Sequence, residues 1–173
     1  MRKILILIFI FFISISNSLS KIVYLDVQYI IDNSNLGKFY KKKIKSNENS
    51  ALEELKNKEK IISTKENDIK NQKNILKKEE INKKLLELNN LVKDYQKLRK
   101  KNNQDIIQKK KEYSSKILKL INPILTNYVQ YNKIDIVIDK KNILVGIKTL
   151  DITKEILAEV NKITKEKNLI NEN

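Results

Sequence analysis

The residues that could carry chemistry in this chain are its carboxylates and its lysines, because its 173 residues include neither histidine nor cysteine. Thiol chemistry, histidine-based triads and histidine-ligated metal sites are therefore excluded. Asp26 and Asp139 are isolated carboxylates at the ends of strand-like runs, and we interpret them as cap or turn residues rather than an acid–base pair. Gly37 and Gly146 are the only glycines, so a Walker-type phosphate loop cannot form. The sequence predicts no catalytic residue, no cofactor and no metal.

The lysines are concentrated in one stretch of the chain. Residues 38–122 contain 25 Lys and Arg against 12 Asp and Glu, whereas residues 21–37 and 123–173 together contain nine of each. A basic segment between neutral ends favours anionic partners through salt-sensitive attraction. Lys, Asn and Ile are abundant throughout the chain, so an AT-rich genome is the alternative explanation for the lysine excess.

The same stretch must also form the elements that position these charges. Residues 38–122 contain no glycine and no proline, which predicts long helix. A single helix of that length would span roughly 130 Å, so we expect two arms side by side. The first arm is predicted over about 36–76 and the second over about 79–131, with the tip near 74–81. Asn89 and Asn90 are the competing site for the tip.

Apolar residues in the arms form thin seams with coiled-coil spacing. In the first arm they recur every seven residues: Leu55, Ile62, Ile69 and Leu76. In the second arm the steps are four and three: Ile81, Leu85, Leu88, Val92 and Tyr95. Glu59, Glu66 and Lys73 occupy positions where a tight zipper would have Leu, so the arms should pack loosely.

Seam residues and basic residues near the tip are the candidate contacts for a bound partner. They are Leu55, Ile62, Ile69, Leu76, Leu85, Leu88, Val92, Lys77, Lys78, Lys83 and Lys84. Pairing between the two arms of one chain explains the seam spacing equally well.

The region before the arms predicts a strand over residues 21–26. Asp26 could cap a short helical turn after it. Ser34 or Asn35 could cap the first long helix, and Gly37 could ease the turn there. After the arms, Pro123 should kink the second helix or start a new segment.

The C-terminal region alternates like a hairpin and then like a helix. Residues 134–139 predict a strand with Ile134, Ile136 and Ile138 on one face, and residues 143–147 predict its hairpin partner. Asp151 is expected to be the N-cap of a final helix.

The two ends, residues 21–35 and 123–173, are too short to bury a large core, which argues for self-association. The residues predicted to form the assembly surface are Ile22, Val23, Leu25, Ile134, Ile136, Ile138, Ile143 and Val145. An ordinary core within one chain is the alternative role for these residues.

Residues 1–20 predict an export signal. Arg2 and Lys3 precede an apolar run over residues 4–13, and Ser18 and Ser20 place small residues three and one before a cut ahead of Lys21. The run is short for a membrane span, so an uncleaved anchor is the less favoured alternative.

Taken in order, these pieces resemble the Skp family, the OmpH-like periplasmic chaperones. The matching segments are residues 21–26 with Gly37, residues 122–124, residues 134–145 and residues 150–157. The arms match in character only.

The resemblance implies an α+β fold in which a long antiparallel helical hairpin projects from a small β-body. It also implies a homotrimer with a central β-barrel-like core. The implied function is an ATP-independent holdase in the periplasm of a Gram-negative bacterium, which binds unfolded outer-membrane proteins between its arms. Anionic lipid or lipopolysaccharide is a further implied partner, although no arm residue can be matched by position to such a contact.

Other functions fit less well. Nucleic-acid binding is disfavoured because the export signal would remove the protein from nucleic acid. The presumed mature chain also has one Phe and no Trp to stack on bases. A structural coiled-coil spacer of the envelope fits the arms but leaves the strand-rich ends unexplained. No enzymatic pattern is present.

Overall fold

The computed structural model describes residues 20–170. The predicted export signal therefore lies almost entirely outside the described residues. In chain order the helices and strands are β1 (Ile22–Leu25), α1 (Val27–Asn33), α2 (Asn35–Gln72), α3 (Lys78–Tyr131), β2 (Ile136–Asp139) and α4 (Thr153–Glu166). Single 3-10 turns occupy Lys140–Asn142 and Lys148–Leu150. None of the helices within these residues is long and apolar enough to cross a membrane.

Helices α2 and α3 form the predicted long hairpin. They contain 38 and 54 residues, which corresponds to roughly 57 and 80 Å at about 1.5 Å per residue. Their contacts pair early residues of α2 with late residues of α3: Tyr40 stacks on Tyr113, and Lys65 bonds Glu87. The helices are therefore antiparallel. The turn between them comprises residues 73–77, and the competing site at residues 89–90 lies inside α3.

Pro123 lies inside α3 and does not start a new segment. A proline in a helix lacks the N–H that its turn would use, which normally weakens the helix. Here Ile121 and Ile124 on either side are almost completely buried, at 2% and 6% exposure. Packing of this turn against the body compensates for the missing hydrogen bond.

The small body contains a sheet of two parallel strands. Val23 of β1 pairs with Val137 of β2, and the other three pairs keep the same register. On the opposite edge of β1, Tyr24 forms an isolated bridge with Asp151, and the Ile152 amide donates to the Tyr24 carbonyl at 2.9 Å. Both edges of β1 are therefore occupied within one chain.

The predicted hairpin partner at residues 143–147 is not a strand. The 3-10 turn after β2 directs this segment across the ring of Tyr24, whose hydroxyl donates to the Ile147 carbonyl at 3.2 Å. A Cβ on Gly146 would lie 2.7 Å from that ring. Residues 144 and 145 form a bend, so the prediction of a paired strand over this segment was wrong. The intramolecular partner of β2 is β1.

The core lies where the sheet, α1, α4 and the end of α3 meet. Its buried residues are Val23, Leu25, Ile30, Leu36, Ile117, Ile121, Ile124, Ile134, Ile152, Ile156 and Val160. Val137 packs against this core, whereas Ile136 is half exposed. Ile134 precedes β2 and is buried, so the prediction that Ile134 and Ile136 share one face was wrong.

Two predicted caps are confirmed. The Asp26 carboxylate accepts from the Tyr29 amide at 2.8 Å, and the Ser34 hydroxyl accepts from the Gly37 amide at 3.0 Å. These bonds satisfy amides at the helix starts that have no partner within the helix. The start of α4 differs by one residue from the prediction, because Ile152 rather than Asp151 is its N-cap.

Gly37 has a different role from the predicted one. It lies in the first turn of α2, and a Cβ at this position would be 1.8 Å from the carbonyl oxygen of Ile31. The glycine therefore allows α1 and α2 to approach closely, and it does not serve as a turn residue.

We expect Gly37→Ala to destabilise the protein by about 3 kcal/mol, because backbone must move to admit the methyl group. Alanine in place of glycine would otherwise favour a helix by about 1 kcal/mol. Urea unfolding at fixed protein concentration measures the difference. Asn49→Ala, on an exposed position of α2, is the control and should change stability by no more than about 0.5 kcal/mol. A stabilised Gly37→Ala variant would contradict the close approach of α1 and α2.

Candidate functional site

The seam between the arms contains most of the predicted partner-contacting apolar residues. Ile69 is buried at 7% exposure. The half-buried members are Leu55, Ile62, Leu76, Leu88 and Val92. Leu85 differs from the others, because 46% of it is exposed. Pairing of the two helices therefore covers six of these seven side chains in part or in full.

Polar contacts supplement this thin seam. Lys65 bonds Glu87 at 2.5 Å, Lys110 bonds Glu48 at 3.0 Å, and the Tyr95 hydroxyl donates to Glu59. The hydrogen bond and charge of Lys65 hold the pKa of Glu87 below its ordinary value. Exposed pairs of this kind contribute little stability and weaken with salt.

One buried polar group weakens the seam further. The side-chain amide nitrogen of Asn102 is buried between the arms and has no hydrogen-bond partner within the part of the chain that the structure describes. An unpaired buried donor costs free energy. The unpaired Asn102 amide agrees with the expectation that the arms pack loosely.

The base of the arms is packed more firmly. The rings of Tyr40 and Tyr113 stack with centroids 4.2 Å apart and planes 3° from parallel. Lys116 lies 5.8 Å from the Tyr113 centroid, and Lys43 lies 4.7 Å from that of Phe39. Aromatic pairs add stabilisation beyond the area they bury. The arms are therefore best fixed near the body and less firmly joined towards the tip.

A second set of apolar side chains on the arms and their turn faces solvent, and of these the seam pattern identified only Leu85. We call them the outer arm residues: Leu52, Ile61, Ile75, Leu85, Leu86 and Ile107. Several belong to apolar doublets in the sequence. Ile62 faces the seam while Ile61 is 51% exposed, and Ile106 is half buried while Ile107 is 66% exposed. These doublets are the signal that could have revealed them, since adjacent helix positions cannot both face one partner helix.

The predicted basic residues lie around the tip. Lys77, Lys78 and Lys83 are exposed, and Lys84 is half buried at the seam. None of the four forms an ion pair with another described residue. Positive charge thus lies beside exposed apolar side chains near the end of the hairpin.

The predicted assembly residues divide into three groups by exposure. Val23, Leu25 and Ile134 are buried in the chain's own core. Their role is therefore the alternative one, an ordinary core within one chain, and not assembly. Ile138 and Ile143 are half buried. Ile22, Ile136 and Val145 are exposed, and so are Leu144 and Ile147, which the prediction omitted. We call this set the outer sheet face: Ile22, Ile136, Leu144, Val145 and Ile147.

The outer sheet face is unusually apolar for a surface in contact with water. Leu144 and Val145 are essentially fully exposed, at 102% and 93%. Ile22 pairs directly with Ile136, and the 143–147 segment covers Tyr24 on the same side of the sheet. Contiguous apolar patches mark interaction surfaces.

Asp151 joins the start of α4 to the turn after β2. Its carboxylate accepts from the Thr153 amide at 3.0 Å and from the Thr153 hydroxyl, and Lys140 lies 3.3 Å away. Burial alone would raise the pKa of Asp151, but these hydrogen bonds and the lysine charge outweigh it, so its pKa lies below the ordinary value. No group of His, Cys, Asp or Glu within residues 20–170 could hold a metal ion.

We expect the Asp151 contacts to make stability depend on acid pH. A carboxylate with a lowered pKa in the folded state stabilises the fold above its ordinary pKa of 3.8, and this contribution is lost as the pH falls through the folded-state value. Asp151→Asn should destabilise the protein at neutral pH and reduce the further loss below about pH 4. Urea unfolding across pH 2–7 measures both effects. The exposed Asp68→Asn control should keep the wild-type pH dependence, and an equal dependence in Asp151→Asn would refute this role.

Both the sequence and the fold of this chain are similar to those of known proteins. A family model described as outer membrane protein (OmpH-like) matches residues 21–160. Among solved structures, the chain is similar to a protein of Caulobacter crescentus CB15 named for a proposed role as an OmpH-like outer membrane chaperone. The TM-score is 0.77 with 13% sequence identity, over 86% of this chain and 88% of that one. At this identity the structural likeness concerns the fold. No curated protein matches the chain.

Proposed function

This chain belongs to the OmpH-like family, and we propose that it is a periplasmic chaperone that binds unfolded outer-membrane proteins without nucleotide and prevents their aggregation. Family membership supports a chaperone-type role. The observation that carries the finer proposal is the arm surface, where apolar side chains between Leu52 and Ile107 are exposed and the exposed Lys77, Lys78 and Lys83 form no ion pair with a described residue.

The arms suit a client that has no fixed shape. Each outer arm residue offers a small apolar contact, and Lys77, Lys78 and Lys83 attract acidic segments of a client. Single contacts of this kind are weak, but many contacts on linked arms give high total affinity. Binding of this kind needs no precise pocket.

Three copies joined through the outer sheet face would convert open arms into a cage. One chain leaves five apolar side chains of that face exposed, and the outer edge of β2 has no strand partner within the described residues. Contact of β2 and the 143–147 segment with a neighbouring copy would cover both. The trimer and its barrel-like core, which the family resemblance implies, are part of this proposal.

The outer sheet face generates a test of assembly. The double variant Leu144→Lys and Val145→Lys should yield single chains where the wild type is trimeric, because six charged side chains would then meet at the interface of three copies. Light scattering or native mass spectrometry gives the mass. Ile61→Lys, an exposed apolar site on the arm, is the matched control and should keep the wild-type mass. Trimers that survive the double change would exclude this face as the interface.

The arm lysines generate a test of client capture. Changing Lys77, Lys78, Lys83 and Lys84 to Gln should weaken binding of an unfolded β-barrel protein roughly five- to tenfold at low salt and reduce its salt dependence. Binding and aggregation suppression are measured over a salt series. The control changes Lys154, Lys162, Lys165 and Lys167 on or beside α4 to Gln, which removes the same charge from the body. Equal losses in both variants would show that net charge, rather than arm position, governs capture. A chain that suppresses no aggregation would instead be a structural spacer.

A further inference from the structure

Lys21, the residue before β1, has both of its backbone polar groups bonded to Asp135. Its amide nitrogen lies 2.6 Å from Asp135 Oδ2, and its carbonyl accepts from the Asp135 amide at 3.0 Å. These two bonds close a ring between residues 114 positions apart in the chain. They extend the β1–β2 pairing beyond Ile22 and Ile136, where the register ends.

The Asp135 carboxylate has no cationic side chain beside it. It forms no ion pair with any lysine or arginine in the described part of the chain. The ammonium group of Lys21 is directed elsewhere, to the Asn132 carbonyl at 3.1 Å. The Asp135 carboxylate thus accepts from the backbone nitrogen of Lys21, and no lysine or arginine side chain among residues 20–170 forms an ion pair with it.

The sequence predicts that the export signal is cut between Ser20 and Lys21. A leader peptidase would hydrolyse this peptide bond with one water molecule, leaving a carboxylate on Ser20 and a protonated amine on Lys21. The nitrogen that gains this charge is the atom that lies 2.6 Å from Asp135.

We propose that Lys21 is the first residue of the processed chain and that Asp135 is the binding site for its α-ammonium group. Processing would replace an amide donor by a charged one, and hydrogen bonds between two charged partners are the stronger kind. Ser20 is exposed and the first buried side chain of β1 is Val23, so removal of the leader takes no described residue out of the core. The inference concerns maturation and does not depend on the proposed chaperone function.

The consequence is a body in which β1 is held more firmly once the leader is removed than while it is attached. β1 contributes Val23 and Leu25 to the core, and the new ion pair would hold the start of that strand against β2. Only the processed chain would have this contact. Because both partners are exposed, the gain should be modest and should weaken with salt.

The first test identifies the mature terminus. The full chain is expressed in a Gram-negative host, and the protein recovered from the periplasm is analysed by intact mass and N-terminal sequencing. We expect a chain that begins at Lys21. A chain that begins at any other residue would overturn the proposal.

The second test is a double-mutant cycle on the terminus and the carboxylate. Chains that begin at Lys21 or at Ser18 are each made with and without Asp135→Asn, from a fusion whose removal leaves no extra residue. In the chain from Ser18, Lys21 keeps its amide and the charged amine lies three residues away. Measurements near pH 6.5 keep the α-amine protonated, since its ordinary pKa is about 7.7–8.0.

We expect Asp135→Asn to lower the folding equilibrium constant by about two- to fivefold more in the chain from Lys21 than in the chain from Ser18. This excess should largely disappear in about 1 M NaCl. Asp139→Asn is the control, because that carboxylate bonds Lys141, and its effect should be the same in both chains. An equal effect of Asp135→Asn in the two chains would refute the assigned role, whatever the chaperone assays show.

Discussion

Two long helices that share little apolar surface can stay together only if one end is held firmly. Along α2 and α3 the seam is thin, and contacts such as Lys65–Glu87 are exposed and salt-sensitive. At the base, the Tyr40–Tyr113 stack and the buried Ile117 and Ile121 join the arms to the body. The body therefore determines where the arms point, while the outer parts of the arms are joined by fewer buried contacts.

The body and the arms differ in packing because apolar residues are distributed unevenly between them. The body concentrates them in one core with β1 at its centre, and both edges of β1 are occupied. The arms have too few for a core of their own and leave several of them facing water. A surface of that kind is a poor scaffold for a precise site but a good one for many weak contacts.

Local patterns in the sequence were sufficient to predict the helices and several of their ends. Coiled-coil spacing and the lack of glycine and proline gave the hairpin, and Asp26 and Ser34 were recognisable as caps. The prediction failed where the outcome depends on residues far away in the chain. The 143–147 segment has strand-like composition, but the 3-10 turn after β2 and the contacts with Tyr24 place it away from the free edge of β2. Gly37 is required by the carbonyl of Ile31, and no local pattern reports that distance.

Candidate site residues were predictable in kind but not in orientation. Seven-residue spacing identified side chains such as Ile62 that turn inward to the other arm, and it passed over neighbours such as Ile61 that turn outward. In the body, pattern alone could not separate the buried Val23 from the exposed Val145. Which side of a helix or sheet is covered depends on the tertiary packing, and a repeat in the sequence shows only that two sides differ.

The central claim is that several copies enclose a client between arms that a single chain leaves open. Native mass spectrometry of the processed protein, alone and mixed with an unfolded β-barrel protein, tests it most directly. The account predicts a mass of three chains for the free protein and of three chains plus client for the complex. A single chain in both samples, with no client bound, would contradict it.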